Sequence, residues 1–360
     1  MSDPRPRRPL VRPGRAGGVV LARRTALVLA TLGWLGSLPV TVERLRGGTG
    51  GPYRALLAAL VPWTLPVLAV AVLLAAVALR LGRASGRRRA ALLVGGLAVV
   101  TLGVHTAWVA PSVVPDRGAP VAGASGPGGV TLVPETVRVL ALNLEFGQAD
   151  PAVVVDVVRR ERVDVLLAVE LTPGAVSELR AAGLETVLPT SSLAAEGGAS
   201  GSGLWTRLPA EALDPVAGTT FRAPRARLTV APGRTVVVTA AHPHPPLQPA
   251  WWERDLGLFA DEVRAAGAEP QILGGDYNAT LDHAPFRALL GTGLTDAADA
   301  AGVTGGAWPG LTWPADRSFP PVMRLDHVLV TTRTLAASDV STVTVPGTDH
   351  RGVLTTVTLR

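Results

Sequence analysis

The sequence predicts an all-α membrane anchor of three helices followed by an α/β domain over residues 136–360. Three observations predict it. Three apolar runs of bilayer-spanning length crowd the first 110 residues. From Thr136 onward, short apolar runs of strand length alternate with amphipathic helical segments. The charge divides near the same place: residues 1–110 hold 15 arginines against Asp3 and Glu43, whereas residues 111–360 hold 19 arginines against 26 acids.

That division decides what the formal charge of +6 means. The basic character belongs to the anchor and its flanks, and the α/β portion is acidic. A duplex-binding protein carries positive charge on its recognition surface, so nucleic acid is a disfavoured partner. Every basic side chain other than histidine is arginine, a compositional bias that makes Arg-for-Lys choices uninformative. The chain has no cysteine, which excludes a disulfide framework and thiolate chemistry.

Residues 1–24 form a basic, proline-rich tail, expected to be disordered, with Arg5, Arg7, Arg8, Arg12, Arg15, Arg23 and Arg24. Three transmembrane helices are expected over 25–42, 55–79 and 90–110, each long enough for roughly 30 Å of hydrocarbon. A cleaved signal peptide is the other reading of the first run, but no small-x-small cleavage site follows and two more runs do. The tail and the 80–89 loop are richest in arginine. The positive-inside rule therefore places them in the cytoplasm and the C-terminal domain outside it. Residues 111–135 read as a Pro/Gly linker.

In the α/β portion, strands are expected at 137–142, 163–169, 203–206, 226–230, 235–241 and 271–274, and near 325–330, 340–345 and 353–359. Helices are expected at 151–160, 173–182 and 249–266, and near 284–290. The stretch that organises them is Gly274-Gly275-Asp276-Tyr277-Asn278-Ala279, past the apolar run Ile272-Leu273. A carboxylate and a carboxamide two residues apart at a strand end point the same way, and the glycines let a phosphate or metal approach the backbone. Other polar residues fall at strand ends too: Asn143, Glu170, His242, Asp326-His327 and Asp349-His350. Singly, each has a plain alternative, such as a turn cap for Asn143 or a helix cap for Glu170. Trp308 and Trp313 lie in the irregular segment Gly302–Pro321, where a lid is expected. No GxGxxG, P-loop or GxSxG motif occurs.

Taken in order, Asn143-x-Glu145, Val169-Glu170, Ala241-His242-Pro243, Gly275-Asp276-Tyr277-Asn278, Leu325-Asp326-His327 and Thr348-Asp349-His350-Arg351 resemble the metal-dependent endonuclease/exonuclease/phosphatase superfamily. That group holds type I deoxyribonucleases, abasic-site endonucleases, inositol polyphosphate 5-phosphatases and neutral sphingomyelinases. The resemblance covers residues 136–360, and Thr348 stands where many members have Ser. With the three spans in front, the chain looks like a bacterial membrane-bound branch.

The resemblance implies a four-layer α/β sandwich, two packed mixed β-sheets flanked by helices. It implies Mg²⁺, with Mn²⁺ as the alternative, held by Glu170 with Asn143, Asp349 and Glu145 as helpers. It makes Asp276 the group that orients or deprotonates the attacking water, and Asn278 and His242 donors to the phosphate. His350 becomes a phosphoryl-binding acid whose tautomer Asp326 fixes. Arg207, Arg225 and His244 are weaker candidates for touching substrate. The expected protein is a cell-membrane phosphoesterase whose partners are the bilayer and a lipid-linked or small phosphoester. An extracellular nuclease is the alternative, and a catalytically inactive membrane scaffold or sensor the third. No protein partner is inferable.

Overall fold

The computed structural model describes residues 14–82, 85–113, 135–301 and 310–360. It opens with α1 (Gly14–Leu45), α2 (Pro52–Ala59), α3 (Val61–Arg80) and α4 (Ser85–Val113). Three of them contain stretches long and apolar enough to cross a membrane, at Gly17–Leu45, Val61–Arg80 and Arg87–Ala110. Two boundaries differ from expectation. Residues 14–24 of the tail are helical and run into α1, because Val19, Val20, Leu21 and Ala22 extend the apolar run backwards; residues 1–13 lie outside the described residues. The second apolar run is divided at Leu60, so its candidate span begins at Val61. The linker expected at 111–135 lies mostly outside the described residues, and 111–113 end α4.

Helices α1 (to Val42), α3 and α4 (to Trp108) form one compact unit. Alanines dominate its interior, with Ala26, Ala30, Ala71, Ala75, Ala78, Ala91 and Ala98 buried beside Val40, Val61 and Leu68, while Val28, Leu29, Leu73, Leu93 and Val100 point outward. Small residues inside and branched apolar ones outside are what close helix packing in hydrocarbon requires. His105 is buried and bonds Thr41 through Nε2 at 2.9 Å and Thr64 through Nδ1 at 2.5 Å.

The second unit comprises residues 43–59 and 109–360. Its elements in order are β1 (Thr136–Asn143), α5 (Pro151–Arg160), β2 (Val165–Val169), α6 (Pro173–Ala181), β3 (Thr190–Ala194), β4 (Ser202–Thr206), β5 (Ala210–Leu213), β6 (Arg225–Ala231), β7 (Arg234–Ala240), α7 (Pro249–Ala266), β8 (Gln271–Asp276), α8 (Ala284–Leu290), β9 (Leu294–Asp296), α9 (Ala297–Ala301), β10 (Asp326–Thr331), β11 (Leu335–Thr344) and β12 (Arg351–Leu359). They form two six-stranded sheets, ordered β11-β12-β1-β2-β4-β3 and β5-β6-β7-β8-β10-β9. β1 runs parallel to β2 and β7 parallel to β8, whereas β12 and β10 are antiparallel to these pairs.

The inner faces pack on each other through Val139, Ala141, Val165 and Leu167 from one sheet and Val238, Ala240, Ile272 and Val328 from the other. Helices α5 and α6 cover the outside of the first sheet through Val154, Val158, Ala175 and Leu179. Helices α7 and α8 cover the second through Trp252, Leu256, Phe259 and Phe286. This is the four-layer sandwich. The central strands are buried on both faces, which explains their continuous apolar sequences. Asp150 caps α5 by accepting from the backbone N–H groups of Ala152 and Val153, and Thr172 caps α6 by accepting from Ala175.

The segment between α1 and α3 belongs to this second unit and docks on the start of α8. Arg44 Nε donates to Asp282 Oδ1 at 2.8 Å, with side chains only 12% and 8% exposed. The Ala284 N–H donates to the Gly47 carbonyl at 2.9 Å. His283 Nδ1 accepts from the Thr280 N–H at 2.9 Å, so its Nε2–H is the donor to the Ala55 carbonyl at 3.0 Å. Burial raises the pKa of Asp282, and Arg44 offsets that only in part; removing Arg44 leaves a buried carboxylate unpaired. Arg44→Ala is expected to cost about 3 kcal/mol and lower the melting temperature by roughly 5–10 °C. The exchanged pair Arg44→Asp with Asp282→Arg should recover part of the loss in a melt of the full chain in detergent.

Candidate active site

The topology brings the polar strand ends to one edge of both sheets. Asn143 closes β1 and pairs in register with Val169, so Glu170 is the next residue on the neighbouring strand. In the other sheet Ala240 pairs with Gly274, and His242 and Asp276 each lie two residues beyond. Asp326 stands directly opposite Asp276 in the antiparallel β8–β10 pair. His350 precedes β12, which pairs with β1.

Asn143 joins the two sheets. Its Oδ1 accepts from the Glu145 N–H at 2.8 Å, which assigns the other end of the amide as Nδ2. That nitrogen donates to Glu170 Oε1 and to Asp276 Oδ2, both at 3.1 Å. Glu170 Oε2 accepts from the Phe146 N–H at 2.9 Å. Asp276 Oδ1 accepts from the Asn278 N–H at 2.8 Å, and Asn278 Nδ2 lies 3.3 Å from His242 Nε2.

Like charges directly opposite in a sheet repel, and His350 relieves the Asp276–Asp326 pair. Its Nδ1 donates to Asp326 Oδ2 at 2.8 Å, and its Nε2 lies 3.7 Å from Asp276 Oδ2 and 3.6 Å from Asp349 Oδ1. Burial pushes the His350 pKa down, but the Asp326 and Asp276 carboxylates outweigh it and lift the ring to about 10. His242 is equally buried and has one carboxylate, at 3.9 Å; burial wins and its pKa falls to about 4. Burial raises the pKa of both Glu170 and Asp276.

Glu145 Oε2 accepts from the Asp349 N–H at 2.7 Å, and Trp313 Nε1 donates to Asp349 Oδ2 at 2.8 Å. Thr348 Oγ1 donates to the Asn143 carbonyl and accepts from the His350 N–H, a turn-hydroxyl role that a serine would fill equally well. Three expected residues lie apart from the cluster. Arg207 pairs with Asp164, just before β2 at the opposite end of that strand from Glu170. Arg225 is held by Glu262 and the Asp214 carbonyl. His244 bonds Asp255 through its N–H and sits between Phe221 and Trp251. Salt bridges and ring packing inside the fold claim these groups.

Two supporting residues escaped the sequence. Asp296 accepts from His327 Nδ1 at 2.6 Å, and His327 Nε2 donates to the Ala279 carbonyl at 2.9 Å, bracing the loop after Asp276. Thr312 Oγ1 accepts from the N–H groups of Leu325 and Asp326. Neither carries a local signal, since a Thr-Asp pair and a threonine in an irregular segment are ordinary until tertiary contacts give them a task. Trp313, expected in a lid, instead holds Asp349; Trp308 lies outside the described residues.

The donor set suits a hard cation. Among the described residues, the ion-pair partners of Glu170, Asp276, Asp326 and Asp349 are His242 and His350 alone, with no arginine. Asp326 Oδ1 is buried without a hydrogen-bond partner. Ligand atoms of Glu170, His242 and Asp276 lie within 4.8 Å of one another, as do those of Asp276, Asp326 and His350. Carboxylate oxygens with an uncompensated charge are what Mg²⁺ or Mn²⁺ binds.

The backbone is held under tension here. Glu145, Phe146, Glu170 and Asn278 have φ between 45° and 55°, a region costly for non-glycine residues and concentrated at functional sites. Gly275 has φ 152°, and a Cβ there would collide with the Ala241 carbonyl oxygen. Gly275→Ala is expected to displace Asp276 and lower any turnover at this site at least about tenfold, given the sensitivity of catalysis to ångström-scale misplacement. The check is a steady-state assay of the variant at unchanged far-UV circular dichroism.

The Endonuclease/Exonuclease/phosphatase family profile matches residues 140–350. Among solved structures, an endonuclease/exonuclease/phosphatase from Bacteroides vulgatus is 18% identical with a TM-score of 0.52, covering 62% of this chain and 99% of its own. A family protein from Bacteroides thetaiotaomicron is 14% identical with a TM-score of 0.50, covering 63% and 99%. A functionally unknown conserved protein from Enterococcus faecalis is 14% identical with a TM-score of 0.51, covering 62% and 100%. No curated protein matches the chain. With its profile match spanning the strand-end cluster from β1 to His350, the chain belongs to the endonuclease/exonuclease/phosphatase family, whose members are hydrolases of phosphoesters.

Proposed function

We propose that this chain is a membrane-anchored phosphoesterase that uses a divalent cation, Mg²⁺ in the first instance, to hydrolyse a lipid-linked or small phosphoester. The observation that carries this reading is the convergence of Asn143, Glu170, Asp276, Asp326 and His350 at one buried edge, with negative charge left for a cation to neutralise. The apolar helices favour attachment to a bilayer. The acidic balance of residues 111–360 disfavours duplex DNA.

Glu170 would hold the ion, with Asn143 beside it. When bound, a divalent ion supplies Lewis-acid polarisation of a phosphoryl oxygen and offsets the charge that builds on it. Asp276, kept in place by the Asn143 amide and the Asn278 N–H, accepts the proton of the attacking water. The new bond joins water oxygen to phosphorus as the bond to the leaving oxygen breaks in line with it. Protonated His350, oriented by Asp326, presents its Nε2–H to the phosphoryl group. Asn278 and His242, 3.3 Å apart, line the side on which a phosphate oxygen or the leaving group is received. Preorganised donors in a dry site stabilise the transition state far better than water does.

Asp276→Ala and His350→Ala are each expected to lower kcat by about 10²–10⁴, and EDTA should abolish turnover until Mg²⁺ is restored. Full-length protein in vesicles would be assayed on a phospholipid diester, a lipid phosphate and duplex DNA. Asp276-dependent cleavage of DNA alone would move the substrate to nucleic acid. Absence of Asp276-dependent turnover on all three would overturn the enzymatic reading.

A further inference from the structure

A second feature of the catalytic edge concerns its surface. Between residues 135 and 360, four large apolar side chains remain exposed among the described residues: Phe146 at 51%, Leu247 at 65%, Trp251 at 48% and Phe319 at 50%. A random scatter would distribute them over helices and both sheet edges. Instead Phe146, Leu247 and Phe319 sit in three loops that also carry the site, and Trp251 in the first turn of the helix that follows one of them. Phe146 follows Glu145 and donates its N–H to Glu170. Leu247 lies in the turn from His242 into α7 and Trp251 in the first turn of that helix, where it packs edge-on against His244. Phe319 lies in the segment whose Trp313 and Ala315 bond Asp349. Apolar groups gathered in one place on an otherwise polar surface mark an interaction face.

The connector through residues 43–59 indicates what covers that face. It docks on Asp282, His283 and Ala284, which follow the Asp276–Asn278 loop and so lie at the same edge. In sequence it is bounded by the candidate spans that end at Leu45 and begin at Val61. A segment tied within a few residues to two helices that cross a bilayer would stay at its surface, and this one presents Tyr53 at 82% exposure. Tryptophan, tyrosine and phenylalanine are the side chains that settle at the headgroup level. The active-site edge and the connector between the two candidate spans therefore lie on one side of the second unit.

We propose that Phe146, Leu247, Trp251 and Phe319 form a bilayer-binding rim that seats the active site on the membrane surface, so that the phosphoester it takes is a lipid headgroup. The headgroup portion of this proposal rests on the phosphoesterase reading, while the bilayer contact does not.

The absence of cysteine allows a direct test. Phe146→Cys, Leu247→Cys and Phe319→Cys, each in the full chain, carry a polarity-sensitive fluorophore. Arg333→Cys, in the turn after β10 and hence at the opposite edge, serves as the control. Proteins are reconstituted in phosphatidylethanolamine/phosphatidylglycerol vesicles with a spin-labelled lipid quencher. The three rim labels are expected to be quenched at least twofold more than the label at 333. Quenching no greater than at 333 overturns the bilayer contact, whatever the enzyme assay shows.

A second arm compares the double variant Leu247→Asp, Phe319→Asp with wild type on a phospholipid diester in vesicles and on soluble bis(p-nitrophenyl) phosphate. The ratio of lipid to soluble turnover is expected to fall at least tenfold, and an unchanged ratio overturns the headgroup assignment. Quenched rim labels combined with no Asp276-dependent turnover on any substrate would refute the phosphoesterase reading and its headgroup corollary while leaving the bilayer contact standing.

Discussion

The carboxamide of Asn143 is the interaction on which the rest of the site depends. It links the two sheets by hydrogen bonds at the site, donating to Glu170 beside it and to Asp276 across the interface. Two acids brought this close in a buried place would repel, and burial already raises the pKa of each. A neutral donor between them reduces that cost without filling the place a cation would take. Asparagine suits this task because one end of the amide is spent on the Glu145 N–H, which fixes which atom faces the acids. An aspartate at this position would add a third negative charge and lose both bonds.

The fold supplies this arrangement through equivalent offsets in two sheets. Each sheet has a central parallel pair, β1–β2 and β7–β8, and Asn143, Glu170, His242 and Asp276 fall at or just beyond their carboxyl ends. The antiparallel neighbours β10 and β12 start at that edge and bring Asp326 and His350 back into it. The two histidines show how burial and charge compete. One carboxylate at 3.9 Å does not overcome the desolvation of His242, whereas Asp326 and Asp276 together overcome that of His350. The same edge thus holds a ring that carries its proton near neutral pH and one that does not.

Much of this was legible in the sequence. Helices 151–160 and 249–266 could be bounded from proline and apolar spacing, and both match their observed limits. Buried strands such as 165–169 announced themselves as unbroken apolar runs. Short, polar edge strands did not: β3 (Thr190-Ser-Ser-Leu-Ala194) and β5 (Ala210-Glu-Ala-Leu213) have no alternation that distinguishes them from loop. Asn143, Glu170, His242 and Asp276 were visible because each closes or follows a readable strand, and Asp326 and His350 because a readable strand starts at or just after them. Arg207 and Arg225 left their partners unread because arginine is equally at home on phosphate and on a carboxylate, and only the fold revealed Asp164 and Glu262. The docking of residues 43–59 on α8 depends on partners more than 220 residues apart and left no local trace.

Binding of a divalent ion at this edge through Glu170 and Asn143 is the central requirement of the site. Titrating Mn²⁺ into the full chain in detergent, with the bound fraction followed by electron paramagnetic resonance, measures this without a substrate. Wild type is expected to bind saturably and to release the ion to excess Mg²⁺. Glu170→Gln should weaken binding at least tenfold, and Asn143→Ala by about 10–100-fold, as the loss of an orienting partner does at metal sites. Binding of equal strength in both variants and wild type would contradict the site as described.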